Sequence, residues 1–332
     1  MRIDLHRRRF LLNTLPAATA IAASPPSAWA QPVPESARIL CGYPAGGSVD
    51  VVCRKLAQQL SGKWARTVVV ENKPGAAGRV AVDALRTALP DVLSMLITPG
   101  SVVTMYPHIY RNLSYDVFGD LAPVSIVAMT AFALAVGPRV PLAVRTFADF
   151  INWCKSNPAA ADCGNAGAGS FPHFMAMLVA REAGVALTHV PYRGGLPAMQ
   201  AAAAGEVSAT LATEGSASTL AQSGKVRVLA TSGNDRSPFL PDAPTFRELG
   251  FVNLAQREWY AAFMPAKAPA TTIAVVAEGI RAALREPDVR NVWQKVALGA
   301  ESSTPAELQR ALRTEYDFWS PIIRASGFTP EA

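Results

Sequence analysis

The sequence predicts an α/β protein of two lobes, joined by two crossing strands, with a ligand cleft between the lobes. Three observations lead there. Short apolar segments alternate with amphipathic ones along the whole chain, the pattern of layered strands and helices. No low-complexity linker or internal repeat divides the 332 residues, although that length suits about two domains. Two uninterrupted apolar stretches, near 124–136 and 258–264, stand where a chain would pass between halves. One lobe is then discontinuous, residues 31–128 with 258–332, and the other is 129–257. A cleft between lobes is an ordinary place for a ligand.

Strands are expected at 37–41, 67–70, 93–97, 123–127, 132–136, 186–190, 209–212, 227–232 and 258–264. These are runs of apolar and β-branched residues bounded by turn formers. Helical spacing runs through 48–60, 78–88, 146–157, 170–183, 196–203, 216–223, 245–249, 270–284, 287–298 and 305–326. Several have start signals. Asp50 falls in the first turn after Ser48, and Thr146 precedes Asp149 by three as in a capping box. Thr304-Pro305-Ala306-Glu307 repeats the box with proline at the first helical position.

The first 30 residues read as an export signal, expected to be cleaved after Ala30. Arg2, Arg7, Arg8 and Arg9 precede an uncharged stretch, Phe10 to Pro34, that holds Ala28-Trp29-Ala30. Arg7-Arg8-Arg9-Phe10-Leu11 also fits a twin-arginine signal, with Sec export left open. The localisation expected is periplasmic. The formal charge of +6 shrinks once four basic residues and one acid leave with the signal. The balance that remains is too weak, and too scattered, to argue for nucleic acid. Half the residues are hydrophobic and 17% are charged, which excludes a disordered chain. Residues 121–138 carry no charge, but Pro123, Ser125, Thr130 and Gly137 break the stretch, so it reads as buried strand rather than membrane span.

The four cysteines, Cys41, Cys53, Cys154 and Cys163, form no C-x-x-C, and no histidine has zinc-like spacing, so no metal is expected. A Cys154–Cys163 bridge and two buried thiols both stay open. Cofactor fingerprints are missing: there is no G-x-G-x-x-G, no G-x-x-x-x-G-K-[ST] and no G-x-S-x-G.

What stands out is a set of glycine-bearing turns, each after a strand and before a helix. They are 43–50 (Y-P-A-G-G-S-V-D), 98–101 (T-P-G-S), 164–173 (G-N-A-G-A-G-S-F-P-H) and 191–195 (P-Y-R-G-G). Glycine lets backbone approach a ligand, and a helix N-terminus offers unpaired N–H groups and a positive dipole end. Ligands in open α/β sheets bind beyond the carboxyl ends of the strands. Several such loops on one cleft hold an anion without a charged side chain. A rival reading takes Ser170 and His173, at i and i+3, as nucleophile and base of a secreted α/β hydrolase. At a helix start, however, serine is more often the cap, and no third orienting group is recognisable.

In this order and spacing the loops resemble those of the Bug-type periplasmic solute receptors, the substrate-binding subunits of tripartite tricarboxylate transporters. Further markers are 69–78 (V-V-E-N-K-P-G-A-A-G), 113–116 (L-S-Y-D), 121–125 (L-A-P-V-S), 189–195 (H-V-P-Y-R-G-G) and 240–245 (L-P-D-A-P-T). The likeness covers almost all of 37–328. It implies a periplasmic-binding-protein fold that closes on a small carboxylate, held largely by backbone amides and bridging waters. Carried onto this chain, ligand contacts fall on Tyr43, Ala45, Gly46, Gly47, Ser48 and Asp50, then Thr98, Gly100 and Ser101. In the second lobe they fall on Gly167, Ala168, Gly169, Ser170, His173, Tyr192, Arg193 and Gly194. Glu214 joins them, where the family often has Asp or Asn. The resemblance implies a non-enzymatic, cofactor-free receptor, a monomer, whose partners are the carboxylate and membrane transporter subunits or a sensor.

Overall fold

A computed structural model describes residues 34–88 and 93–329. The expected export signal lies outside them. In chain order the elements are β1 (Ser36–Cys41), α1 (Ser48–Leu60), β2 (Thr67–Asn72), α2 (Arg79–Arg86) and β3 (Leu93–Pro99). Three single turns follow, α3 (Ser101–Thr104), α4 (Tyr106–Ile109) and α5 (Val117–Asp120). Then come β4 (Leu121–Thr130), β5 (Phe132–Val136), α6 (Phe147–Ser156), β6 (Asp162–Asn165), α7 (Phe171–Ala183), β7 (Thr188–Pro191) and α8 (Gly195–Ala204). The chain ends with β8 (Ala209–Thr213), α9 (Glu214–Gln222), β9 (Arg227–Thr231), β10 (Glu258–Pro265), α10 (Ala270–Ala283), α11 (Pro287–Lys295) and α12 (Pro305–Ser326).

The strands make two five-stranded mixed sheets, ordered β2-β1-β3-β10-β4 and β7-β6-β8-β5-β9. In the first, β1, β2 and β3 run parallel and β10 pairs antiparallel with both β3 and β4. In the second, β6, β7 and β8 run parallel and β5 pairs antiparallel with β8 and β9. Ala131 alone separates β4 of one sheet from β5 of the other, and the return runs from β9 through 232–257 to β10. Because β5 opposes β8, the carboxyl end of β8 lies beside this junction. The carboxyl end of β3 lies there too, since β10 opposes it and begins at the junction. The strand polarities therefore aim the glycine-bearing loops of both sheets at the space between them.

Both capping boxes form. Thr146 Oγ1 accepts from Asp149 N and Thr304 Oγ1 from Glu307 N, while each acid accepts from its threonine's backbone N–H. One core joins the two lobes. Phe171 of α7 stacks on Phe132 of β5 with centroids 4.7 Å apart and meets Trp319 of α12 edge-on at 5.3 Å.

Two local expectations need correction. Residues 245–249 form turns, not a helix. Thr245 and Glu248 do exchange capping-box bonds of 2.8 and 3.0 Å, but Gly250 at φ +89° ends the segment after one turn. The sequence reading also missed β6, which sits second in its sheet, between β7 and β8. Its Asp-Cys-Gly-Asn sequence has no strand signal, and its neighbours alone make it a strand.

All four cysteines are buried free thiols, so the Cys154–Cys163 bridge does not form. Burial pushes the Cys154 thiol up to about 11 and that of Cys163 up to about 12, which keeps both unreactive. Among the described residues no helix is long and apolar enough to cross a membrane.

Candidate ligand site between the two sheets

The first loop is built on a buried acid. Asp50, 2% exposed, accepts from Gly46 N at 2.9 Å, Arg54 Nε at 2.8 Å and Asn72 Nδ2 at 2.7 Å. Burial works against its charge, but these bonds outweigh it and hold the carboxyl below the usual carboxylate range. Asp50 thus shapes the loop through these three bonds. The Tyr43 carbonyl accepts from the same Asn72 amide, and its ring lies against Gly78. Ala45, Gly46 and Gly47 are exposed at the tip. Ser48 Oγ lies 3.1 Å from Tyr260 Oη.

The second loop is mostly spent inside the protein. Thr98, Gly100 and Ser101 are buried. Gly100 N donates to the Trp259 carbonyl at 2.8 Å. Ser101 N donates to Glu258 Oε1 at 3.2 Å. The N–H expected to greet a ligand already serves the protein's own carboxyl group.

In the third loop Gly167 and Gly169 have φ of +109° and +78°, backbone that other residues rarely adopt. Ala168 is exposed between them. Ser170 caps α7: its Oγ accepts from His173 N at 3.4 Å and donates to Gly167 O at 2.7 Å. The His173 ring turns elsewhere. Its Nδ1 accepts from Gly169 N at 3.0 Å, and it stacks on His189 with centroids 3.8 Å apart. Burial, with His189 beside it, pushes His173 down to about 4. Ser170 therefore has no base on its hydroxyl, and the hydrolase reading finds no support.

The fourth loop is tied to the third by Tyr192 N, which donates to Asn165 O at 2.9 Å. Arg193 is exposed, and Gly194, at φ +123°, leads into α8. Glu214 starts α9 but takes another path. Its Oε2 accepts from Ser237 Oγ at 2.6 Å, and it lines a separate cleft of about 500 Å³ with Arg257, Arg290 and Gln294. None of the four loops lines that cleft. The four loops thus follow β1, β3, β6 and β7 at the carboxyl ends of the two sheets, and Glu214 faces a cleft that none of them lines.

Sequence reasoning passed over two groups at these ends. Asn165 is fully buried and its side-chain amide has no partner among the described residues. Glu258 is 7% exposed at the start of a strand that is otherwise buried and apolar through Met264. A lone acid opening such a run is the signal that points to Glu258, whereas Asn165 is hidden in a glycine-rich loop.

Residues 52–328 match the model of the tripartite tricarboxylate transporter family receptor. The chain belongs to that family. It is 28% identical over 311 residues to the protein BugT of Bordetella pertussis, covering 93% of this chain and 94% of that one. Its fold superposes on the periplasmic binding protein BugD with a TM-score of 0.77 at 25% identity, covering 90% and 99% of the two chains. Rhodopseudomonas palustris Rpa4515, solved with adipate, gives a TM-score of 0.80 at 24% identity, covering 91% and 100%. Members of the family are periplasmic solute-binding receptors of this two-lobed fold.

Proposed function

We propose that this chain is a non-enzymatic receptor that binds a small carboxylate between its lobes and delivers it to membrane transporter subunits or a sensor. The observation that carries the reading is the open tip of the first loop at the start of α1. Residues 44–47 are exposed there, at a helix whose first acid is already neutralised inside the fold. The helix end keeps its positive dipole for a ligand. Adipate in Rpa4515 agrees in chemical class. On this reading the lobes are 31–128 with 258–332 and 129–257, and closure bends the chain at Ala131 and between 232 and 257. Residues 1–30 direct export, by the twin-arginine route, and the mature receptor works as a monomer.

A thermal-shift screen over mono-, di- and tricarboxylates tests this. At least one acid should raise the melting temperature and be recovered intact. Turnover of the acid, or no shift with any of them, refutes the reading.

Ser170→Ala checks the second lobe. It removes the α7 cap and the hydroxyl but no charge. Binding of the best acid should weaken by about 1–2 kcal/mol, five- to thirtyfold, while the fold survives. Unchanged affinity in calorimetry would take Ser170 out of the site.

A further inference from the structure

We propose that Glu258 is a ligand-facing wall of the anion site, and that its protonated carboxyl is the form that admits a carboxylate. The geometry comes from β10. Side chains alternate along a strand, and Glu258, Trp259 and Tyr260 pair in regular register with Thr130, Met129 and Ala128. Glu258 and Tyr260 therefore share one face and Trp259 takes the other. The Tyr260 hydroxyl already reaches Ser48 at the start of α1. Glu258 lies two residues nearer the junction on that face, bonded to Ser101 of the second loop and near enough to Tyr43 of the first to act on its hydroxyl. The Ser101 N–H on α3 donates to it at 3.2 Å, and the Ser101 hydroxyl also favours its charged form.

The groups around it are short of positive charge. Those that feel its field are Tyr43 on the first loop, Tyr106 on α4, Tyr260 on its own strand and Glu315 on α12. The rest of its polar surroundings are Ser101 and, across the ladder, Thr130. Glu258 forms no ion pair among the described residues, and Arg257 beside it in the chain pairs with Glu301 at 2.7 Å instead. Burial without a cation favours the neutral acid, and it pushes Glu258 up to about 7 despite the Ser101 bonds. A carboxylate ligand arriving beside an ionised Glu258 meets a like charge at low dielectric. Beside the neutral acid it meets a hydroxyl donor. Capture above pH 7 therefore takes up a proton, and the same wall disfavours cationic and neutral solutes less than it disfavours anions as pH rises.

This inference rests on the carboxylate reading, and the experiment separates the two. Adipate is titrated calorimetrically into the full chain at pH 6 and pH 8, each in two buffers of different ionisation heat. The wild type should take up close to one proton per adipate at pH 8 and almost none at pH 6. Its affinity should fall by up to about tenfold per pH unit above 7. Glu258→Gln keeps an acceptor for Ser101 and cannot ionise. It should bind without proton uptake, equally at both pH values, and more tightly than wild type at pH 8. Tyr260→Phe, which leaves the carboxyl in place, should keep the uptake. Uptake that persists in Glu258→Gln, or a wild-type affinity flat from pH 6 to pH 8, overturns the role of Glu258 and leaves the receptor reading standing. If neither adipate nor any acid of the screen binds wild type or variant, the receptor reading itself falls, and this inference with it.

Discussion

Gly137→Ala should leave little folded protein. Gly137 directly follows β5, and its backbone N–H donates to Ser208 O at 3.3 Å. A Cβ built there would lie 1.6 Å from the Ala202 carbonyl oxygen and 2.6 Å from the carbonyl carbon. Both are backbone atoms of α8, so no rotamer change relieves the overlap. Either β5 or α8 must move, and β5 is hydrogen-bonded on both edges, to β8 and β9. Its flanking residues Leu134, Ala135 and Val136 are fully buried. Forcing atoms into a packed core costs about 1–3 kcal/mol when side chains can adjust, and more when backbone must shift. Against a total stability of about 5–15 kcal/mol, a loss above about 3 is severe. Gly47→Ala is the matched control, since its Cβ has only Pro44 O nearby, at 3.5 Å. Melting curves decide it: a Gly137→Ala protein melting within about 3 °C of wild type would mean that β5 and α8 are not packed as described.

The sequence displayed those parts of the fold whose signals are local. The box Thr146/Asp149 gave a helix at its observed start, and Thr304/Glu307 with Pro305 did the same for α12. The apolar strands 132–136 and 258–264 were legible because burial on both faces leaves a near-continuous hydrophobic run. Signals fail where tertiary context decides. The Thr245/Glu248 box looks like a helix start, and Gly250 stops it after one turn. β6 has a poor strand sequence and is held by β7 and β8.

The candidate site divides the same way. Among the loop glycines, 46, 167, 169 and 194 take positive φ whereas 47, 100, 164 and 195 do not, a distinction that their spacing does not show. Which N–H groups stay free for a ligand is a matter of long-range pairing that spacing cannot reveal. Asp50 and Ser101 illustrate it. Both lie in loops of the right kind, yet Asn72, 22 residues away, and Glu258, 157 residues away, claim them. Glu214 directly follows β8 as the loops follow their own strands, but its side chain bonds Ser237 and lines a different cleft.

Gly47→Val should fold normally and lose carboxylate binding by more than about a hundredfold. Gly47 is the N-cap of α1 with φ −73° and ψ 165°, an extended conformation that valine adopts without strain. Its Cβ would meet only Pro44 O, at 3.5 Å, an ordinary contact, so the fold gives no reason for collapse. The new methyl groups would instead stand over the first turn of α1. There the backbone N–H groups have no intrahelical partner, and Gly47, lacking a side chain, supplies no cap bond. A carboxylate seated there gains about 1.5–3 kcal/mol from each charge-assisted hydrogen bond. The helix dipole adds up to about 2 kcal/mol when the site is partly buried. Denying two such bonds removes roughly 3 kcal/mol or more, hence the hundredfold. Gly47→Ala, with one methyl and no branching, should lose less, about fivefold. Calorimetric titration of the three proteins with the screen's best acid reads all of this, with circular dichroism showing that each is folded. If the valine variant is folded and binds as tightly as wild type, the carboxylate does not sit on the α1 N-terminus. The anion would then have to be held by the second lobe, where Gly167, Gly169 and Gly194 open the other loops.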